Sequence, residues 1–409
     1  MKKRPASTVL KKKKPALEPA LDCPIQKTCG LCLYVNSPYE KGVAAKYQKD
    51  LEQLQRIFPT PVPALPPVLS PKPLRYRSSM KLAVRSNDRG WIEIGVFKPN
   101  SHQIVEMQQC PLHAPALQKF LYKLPLAIKD AGLLPWNEDT QEGELKFIAA
   151  RCAHLTEQLM VTFVVTHIQA REKVLRCADI LKEYGLTIDS LNLNVNPSKG
   201  NEIFGSETHR LAGAKRLRET LCNLSISLSP TSFLQVNPWI ASKMYHRIEQ
   251  LAGTPNAGAV AIDLYSGVGQ IAMVLARSGY RVAAIEETPS AKDDASTNLQ
   301  LNRLQKSVEF FSCPVEEFSC THPEWADQPQ LIVVNPSRKG LSDSARAFIS
   351  ITAKKSSGLL IYVSCNLATL IRDLEFFQQE NFRVHQVEAF DLFAQTDKLE
   401  WLVVLSPTP

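Results

Sequence analysis

The chain has 409 residues, a formal net charge of +8, 44% hydrophobic residues and a mean hydropathy of −0.15. Two or three domains are expected at this length, and no apolar run reaches the ~18 residues that a membrane-spanning helix requires. No secretory signal is expected either, because the first lysines are followed by Pro and Ala rather than by an apolar core. Ten cysteines then favour a reducing compartment, and we expect a cytoplasmic monomer, not bound to a membrane, with metal-binding or catalytic thiols.

The first 20 residues are predicted to form a basic, disordered tail. Residues 1–17 contain seven Lys or Arg residues and no acid, so the remaining chain carries only about +1. A tail of this charge can bind RNA phosphates without sequence preference and in a salt-dependent way. A solvated tail that only improves solubility is the alternative interpretation.

Residues 21–73 are predicted to hold a cysteine cluster, a helix and a proline-rich linker. The cluster consists of Cys23, Cys29 and Cys32, to which Cys110 would add a fourth thiol. Four thiolates without a histidine suit an iron–sulfur cluster or a structural zinc ion, and the spacing leaves iron–sulfur, zinc and no metal open.

The periodicity of apolar residues and the positions of the prolines predict the structure of the rest of this segment. Apolar residues recur at three- and four-residue steps over 39–57, which predicts the helix. Seven prolines within residues 58–73 predict a stiff, extended connection and not a packed element.

Residues 74–225 are predicted to form an α+β domain that faces RNA. Segments 82–85, 91–97 and 159–165 are rich in β-branched and aromatic residues, which favour strands. A helix is expected over 116–131, kinked or divided by Pro125.

Residues 226–409 are predicted to form an α/β domain with a seven-stranded, mostly parallel sheet. Helical stretches such as 290–303 and 343–355 alternate with the strands, as in sheets that carry helices on both faces. The strands are expected at residues 259–264, 281–286, 307–311, 330–334, 358–363, 383–390 and 400–405. Ligands of such sheets bind at the carboxyl ends of the strands, near the point where the strand order reverses.

The first of these strands ends in a small-residue loop that predicts a cofactor site. Gly267 and Gly269 would let the backbone approach a ligand closely. Glu286 ends the next strand, where a carboxylate can accept hydrogen bonds from both ribose hydroxyls of a nucleoside, although a solvated carboxylate is the alternative. Because Met273 stands near the place of the third glycine of the dinucleotide fingerprint, the loop favours S-adenosylmethionine over NAD.

The tetrad Val363-Ser364-Cys365-Asn366 places a thiol at the carboxyl end of a predicted strand. Its polar neighbours argue against a packing cysteine, which is the alternative role. A thiolate there could add to C6 of a pyrimidine, so that C5 attacks a methyl sulfonium and a base then removes the C5 proton. Glu400, at the start of the last strand, is the candidate base, and a water-facing carboxylate fits its spacing equally well.

The segment Asn335-Pro336-Ser337-Arg338 ends another strand at the same edge. Amino-group methyltransferases carry Asn-Pro-Pro-Tyr there, and Ser337-Arg338 lacks the aromatic platform on which their target base stacks. Many cytosine C5 enzymes place Pro-Cys at this strand end, whereas no cysteine occurs here between Cys320 and Cys365. These differences favour uracil as the target base.

Together these segments resemble the RNA uracil-C5-methyltransferases over nearly the whole chain after residue 20. Phe233-Leu234-Gln235-Val236-Asn237 matches a motif that precedes the cofactor domain in that family. The resemblance implies a Rossmann-like, class I S-adenosylmethionine-dependent methyltransferase domain, with Cys365 as nucleophile and Glu400 as proton acceptor. It also implies cofactor and uracil pockets lined by Gln235, Tyr265, Glu286 and Asn335, and a [4Fe-4S] cluster, rather than zinc, on Cys23, Cys29, Cys32 and Cys110.

Within that family the chain is most similar to the enzymes that methylate uracil 747 of 23S rRNA. It has the cysteines that the tRNA-specific branch lacks, no β-barrel RNA-binding module stands ahead of them, and Asn335 replaces the usual Asp. The target uracil must leave its stack, so a loop or bulge is the expected substrate. The alternatives are the same reaction on another rRNA or tRNA uracil, a non-catalytic RNA-binding or assembly factor, and a redox-responsive protein.

Some positions depart from the family pattern, and one segment is similar to a family segment that faces the substrate. The departures are Ser337, Leu367 and Ala394, each in place of a proline, and Lys398 in place of a histidine two residues before the base. These departures affect the expected rigidity of the loops and the expected protonation of the base.

The segment that is similar to a substrate-facing family segment is Tyr76–Lys81. An aromatic ring beside basic groups there could stack on an unpaired base, and a solvated strand edge is the alternative.

Overall fold

The computed structural model describes residues 21–98, 101–200, 202–326 and 329–408, so the predicted basic tail lies outside the described residues. The helices are α1 Gln26–Cys29, α2 Tyr39–Gln55, α3 Pro115–Asp130, α4 Arg171–Glu183, α5 Pro238–Ala252, α6 Gln270–Arg277, α7 Pro289–Leu301, α8 Val315–Thr321, α9 Pro323–Ala326, α10 Asp343–Ser356 and α11 Leu367–Gln379, with a 3₁₀ turn at Ile168–Ala170. The strands are β1 Ala64–Val68, β2 Ser79–Ser86, β3 Ile92–Phe97, β4 Ile104–Glu106, β5 Leu145–Cys152, β6 Leu159–Val165, β7 Ser190–Val195, β8 Glu207–Gly213, β9 Leu217–Leu221, β10 Leu224–Leu228, β11 Val260–Leu264, β12 Arg281–Ile285, β13 Val308–Phe311, β14 Pro329–Val334, β15 Leu359–Ser364, β16 Phe382–Phe390 and β17 Glu400–Pro407.

The C-terminal strands form the larger sheet, in the order β1-β16-β17-β15-β14-β11-β12-β13. β17 runs antiparallel to both of its neighbours, and the other neighbouring pairs are parallel. The predicted mostly parallel sheet is therefore confirmed, and each predicted strand lies within two residues of its observed bounds. The strand order reverses between β11 and β14, which places the ligand-binding switch point at their carboxyl ends.

Alternate residues of these strands enter two apolar cores, one on each face of the sheet. Ala261 of β11 packs in a core with residues of α5 and α6, whereas Ile262 and Leu264 pack in another with residues of α10 and α11. A parallel sheet covered on both faces needs apolar residues on both sides of each strand, which explains the nearly continuous apolar runs in the sequence.

The proline-rich segment does not match its prediction as an unpacked connection. Residues Ala64–Val68 form β1, which pairs in parallel with β16 as the eighth strand of the sheet. Its register shifts between Leu65 and Val68, where Pro66 and Pro67 have no N–H group to donate to a regular ladder. The edge of a sheet tolerates such prolines because one side of the strand has no partner.

The central strands form a second sheet, in the order β4-β3-β2-β5-β6-β7-β8, with α3 and α4 packed in its core. Neighbouring strands are antiparallel except β6 and β7, so the α+β prediction for this region is confirmed. α3 continues through Pro125, so of the two expected effects of this proline, a kink or a division, the division does not occur. The hairpin of β9 and β10 packs in the core of the C-terminal sheet, and the predicted domain limit at residue 225 falls within it.

No helix in the described ranges combines the length and the apolar composition that a bilayer crossing needs.

Candidate active site

Cys365 and Glu400 lie opposite each other at the carboxyl edge of the larger sheet. Ser364 of β15 pairs with Trp401 of β17, so the antiparallel register sets the next residue beyond Ser364 against the residue before Trp401. Burial raises the pKa of the Cys365 thiol, and the negative charge of Glu400 raises it further. The structure thus brings the predicted nucleophile and the predicted base together.

The carboxyl group of Glu400 is in an apolar environment that changes its acidity. The residue is 2% exposed, and burial raises its pKa to about 8, against a smaller lowering effect of Arg338. A carboxyl group with such a pKa can both accept and release a proton near neutral pH, as a general base must during turnover.

Arg338 lies beside both groups, although the sequence analysis gave it no role in the site. Its guanidinium lowers the pKa of Cys365 and of Glu400, because a nearby positive charge favours the ionised form of each. Asn366 Nδ2 and Thr369 Oγ1 donate to the Arg338 carbonyl at 2.8 and 3.4 Å, which fixes the loop after β14 to the residues that follow Cys365. The available signal in the sequence was a cation in the loop after β14, a strand that ends at the same edge as the thiol.

The variant Arg338→Met is expected to slow alkylation of Cys365 at neutral pH by roughly three- to tenfold, because loss of the guanidinium raises the pKa of the thiol and so lowers the fraction of thiolate. The deficit should shrink as the pH is raised. Iodoacetamide labelling followed by peptide mass spectrometry isolates Cys365 from the other nine cysteines. Arg89→Met, at an exposed position, is the matched control. An unchanged labelling rate and pH profile in Arg338→Met would contradict the assignment.

The loop after β11 is tied to the end of β12. Glu286 Oε2 accepts a hydrogen bond from the Gly267 N–H at 3.0 Å, and Glu286 Oε1 accepts one from the Thr288 N–H at 2.9 Å. Tyr265 has φ of +62° and Gly269 has φ of +80°, left-handed conformations that turn the chain from β11 into α6. Three residues of the predicted cofactor loop and the predicted ribose-binding acid are therefore held at the switch point.

Asp263 is a second buried acid that the sequence analysis missed. It lies within β11, and its Oδ2 accepts a hydrogen bond from the Ala272 N–H of α6 at 2.9 Å. Burial raises its pKa to about 8, and its Oδ1 has no hydrogen-bond partner among the described residues. An acid inside an otherwise apolar strand was the signal in the sequence.

A cavity of about 370 Å³ opens beside this loop, within the size range of small-molecule sites. Tyr265 and Glu286 line it together with residues from the end of β12 and the loop after it, from α8, from the loop after β14 and from α11; these are Ile285, Glu287, Val315, Glu316, Ser337, Lys339, Gly340, Leu341, Ser342 and Arg372. Carboxylates and cations together suit a zwitterionic nucleoside such as S-adenosylmethionine, whose ribose hydroxyls and amino-acid group need both kinds of partner.

The other predicted pocket residues are not among the residues that line this cavity. The Asn335 N–H donates to the Leu264 carbonyl at 3.4 Å, so its loop runs beside the end of β11. Gln235 is buried before α5, where the Ser78 N–H and Oγ donate to the Val236 carbonyl at 3.0 and 3.2 Å. Gly267, Gly269, Cys365 and Glu400 are likewise outside the lining set.

The four predicted metal ligands line one other cavity. Cys23, Cys29, Cys32 and Cys110 share it with Arg77, whose buried Nε has no hydrogen-bond partner among the described residues. Burial and then the neighbouring Cys110 and Cys29 raise the pKa of Cys32 to about 12. As the side chains stand, no group of three or more His, Cys, Asp or Glu residues in the described ranges could hold a metal ion.

The predicted RNA contact by Tyr76 is wrong. This side chain is completely buried, and its hydroxyl donates to the Ala394 carbonyl at 3.0 Å, so the ring cannot stack on a base. Lys81, at the other end of the same segment, is exposed, with its ammonium 4.8 Å from the centre of the Phe204 ring.

Comparison with known proteins places these features in a family context. The family model described as tRNA (uracil-5-)-methyltransferase matches residues 154–408. A Lactococcus lactis protein, called uncharacterized RNA methyltransferase YljE, is 30% identical over 375 residues, which are 91% of this chain and 80% of that protein. An uncharacterized RNA methyltransferase of Bacillus cereus is 28% identical over 390 residues, covering 94% of this chain and 82% of its own length.

A solved structure is similar over almost the whole chain. It is the crystal structure of the Pyrococcus abyssi tRNA (uracil-54, C5)-methyltransferase in complex with S-adenosyl-L-homocysteine. The TM-score is 0.73 at 25% sequence identity, and the alignment covers 93% of this chain and 86% of that one.

Proposed function

Because the chain belongs to the tRNA (uracil-5-)-methyltransferase family, whose members are S-adenosylmethionine-dependent RNA methyltransferases, we propose that it methylates C5 of one uracil in 23S rRNA, at position 747. The observation that carries the proposed reaction is the opposition of Cys365 and Glu400 across β15 and β17 at the switch-point edge. A thiol and a carboxyl group with a pKa of about 8 are the two groups that methylation of an unreactive carbon needs.

The reaction starts at the Cys365 thiolate, which adds to C6 of the uracil and moves the electron pair of the C5–C6 double bond onto C5. S-adenosylmethionine, when bound, would supply the methyl group: the bond between the methyl group and the sulfonium would break as C5 takes the methyl group, and S-adenosylhomocysteine would leave. Glu400 then removes the remaining C5 proton, the double bond re-forms, and the thiolate leaves. Arg338 supports the first step because its charge favours the thiolate over the thiol.

The cofactor is assigned to the 370 Å³ cavity and the adjoining loop. Glu286 would exchange its bond to the Gly267 N–H for the ribose hydroxyls, and Tyr265 would pack against the bound nucleoside. Gly267 leaves room for the ligand, because a Cβ built at this residue meets no atom within 4 Å. Gln235 and Asn335 are assigned to the uracil, whose N–H and carbonyl groups an amide side chain can pair.

The RNA partner is supported by a second, larger cavity of about 900 Å³ between β8 and α7. Arg210 and Lys215 line it together with Phe204, so it offers cationic groups for phosphates beside an aromatic ring, whereas Arg216 in the same lining is ion-paired with Asp294 at 3.2 Å. The Lys-rich tail is assigned to the same partner. The chain is proposed to act as a monomer in the cytoplasm.

The choice of uracil 747 rests on the four cysteines and on Asn335, and mapping of methylated nucleotides tests it. 23S rRNA from cells with and without the gene is digested and analysed by mass spectrometry. Loss of one methyl group at this uracil, restored by the wild-type gene, is expected. An unchanged 23S rRNA would overturn the target and direct the search to other rRNA or tRNA uracils. RNA binding without any methyl transfer to these RNAs would favour the non-catalytic alternative.

We also propose that Cys23, Cys29, Cys32 and Cys110 hold a [4Fe-4S] cluster. Four thiols around one cavity suit a multi-iron cluster, which spreads its cysteine ligands more widely than a single ion does. Arg77 adds a cation whose Nε lacks a partner among the described residues, and a cluster with four thiolate ligands carries negative charge. The cluster would join the N-terminal segment to the central sheet.

Anaerobically purified protein is expected to contain about four iron and four sulfide ions per chain. Cys32→Ser should lose most of both, because one ligand is removed, whereas Cys320→Ser, on α8, should keep them. Elemental analysis and visible absorption measure both variants. Stoichiometric zinc in place of iron would overturn the proposal in favour of a structural zinc site.

A further inference from the structure

Lys46 of α2 is buried in a place that a lysine rarely occupies. It is 1% exposed, and its Nζ lies 2.5 Å from Oδ1 of Asp391, which is fully buried. The same Nζ donates to the carbonyls of Thr396 and Lys398 at 3.0 Å and lies 3.4 Å from the carbonyl of Phe393. These four oxygen atoms take the place of the water molecules that the ammonium loses on burial.

All four partners belong to residues 391–399, which we call the base loop because it joins β16 to Glu400 at the start of β17. Lys398, whose carbonyl Lys46 holds, is two residues before Glu400. The Lys46 ammonium therefore holds the backbone that determines the position of Glu400 relative to Cys365.

Other N-terminal residues hold the same loop. The Tyr39 hydroxyl donates to Asp391 Oδ2 at 2.6 Å, and the Tyr34 N–H donates to the Gln395 carbonyl at 3.1 Å. Both come from the segment that carries three of the four clustered cysteines. The base loop is thus held mainly from outside the sheet to which Glu400 belongs.

We propose that Lys46 is a positioning residue for Glu400, holding the base loop so that the carboxylate reaches the C5 proton of the methylated uracil. This inference rests on the proposed uracil methylation. It predicts an effect on one step only, because addition of Cys365 and transfer of the methyl group precede the removal of that proton. Loss of the positioning contact should leave those two steps and slow elimination, so that the enzyme–RNA adduct accumulates.

The test uses the full-length chain with the double variant Lys46→Met/Asp391→Asn, which removes the ammonium without leaving a buried carboxylate unpaired. The protein is incubated with S-adenosylmethionine and with RNA that contains the target uracil. The adduct is quantified on a denaturing gel, and the turnover rate is measured in parallel. We expect turnover to fall at least about tenfold, with the adduct fraction rising towards that of Glu400→Gln and with KM for S-adenosylmethionine unchanged. Lys49→Met, an exposed position on the same helix, should match the wild type.

A conservative variant covers the case in which the double variant does not fold. Tyr39→Phe removes the hydroxyl that donates to Asp391 and accepts the Ser70 N–H, and it should raise the adduct fraction by a smaller factor. Wild-type turnover in a folded double variant, or lost turnover without adduct, overturns the inference while the proposed reaction stands. If Glu400→Gln itself forms no adduct, the proposed reaction has failed instead.

Discussion

Replacing Cys365 with alanine is expected to abolish methylation, with a loss of at least about 10³-fold in turnover. The reason is electronic: C5 of uracil attacks a methyl sulfonium only after a nucleophile has added to C6. Register sets Cys365 against Glu400 at the sheet edge, so no neighbouring side chain takes over its position. The variant should also fail to form the enzyme–RNA adduct.

The Cys365→Ala measurement needs a separate check on binding and folding. RNA affinity and melting temperature should stay close to the wild-type values, because the side chain is small and only half-buried. Cys320→Ala, on α8, is the matched control and should keep wild-type turnover. Methylation by Cys365→Ala at a rate near the wild type would exclude covalent catalysis and with it the proposed mechanism.

Glu400→Gln is expected to reduce turnover by about 10² to 10⁴-fold and to accumulate the adduct, because proton removal from C5 is the step it disables. The isosteric amide keeps the packing of a side chain that is almost completely buried. Denaturing gels and rapid-quench kinetics separate adduct formation from product release.

The pH dependence of the wild type should report the same group. Burial raises the pKa of Glu400 to about 8, so the fraction of carboxylate, the form that accepts the proton, rises as the pH passes through this value. Elimination should therefore accelerate from pH 6 to 9 in the wild type and lose this rise in Glu400→Gln. Adduct formation should still increase with pH in the variant, because the thiol of Cys365 also has a raised pKa. Equal pH profiles for elimination in the two proteins would contradict the role of Glu400.

Local sequence patterns predicted the elements of the larger sheet because its strands are buried on both faces and read as short apolar runs. The same patterns put Cys365 and Glu400 at element ends, and parallel strands bring such ends to one edge. The pairing of Ser364 with Trp401, which sets the two side chains opposite each other, depends on register and cannot be read from either strand alone.

Contacts between distant parts of the chain were not predictable in this way. The periodicity of α2 does not distinguish Lys46 from an exposed lysine, so its burial cannot be predicted from the helix alone. The residues that accept its hydrogen bonds are about 345 residues away in sequence. Tyr76 looked like a stacking residue because it stands beside basic groups, but the Ala394 carbonyl accepts its hydroxyl in the interior. The β1 prolines suggested a linker, since nothing local indicates that β16 would pair with them.

The docking of α2 and β1 onto β16 and the base loop also has a consequence for biosynthesis. The ribosome makes α2 long before its partners in the base loop, because Asp391 follows Lys46 by 345 residues. A nascent chain therefore carries an unpaired Lys46 and an incomplete sheet edge until β16 and the base loop have been translated. Pro66 and Pro67 make that waiting strand a poor template for pairing with other chains, because each lacks an N–H group. The proposed base would thus take its position only after the base loop and β17 have been made, and products truncated before Glu400 would be inactive even with the cofactor loop folded.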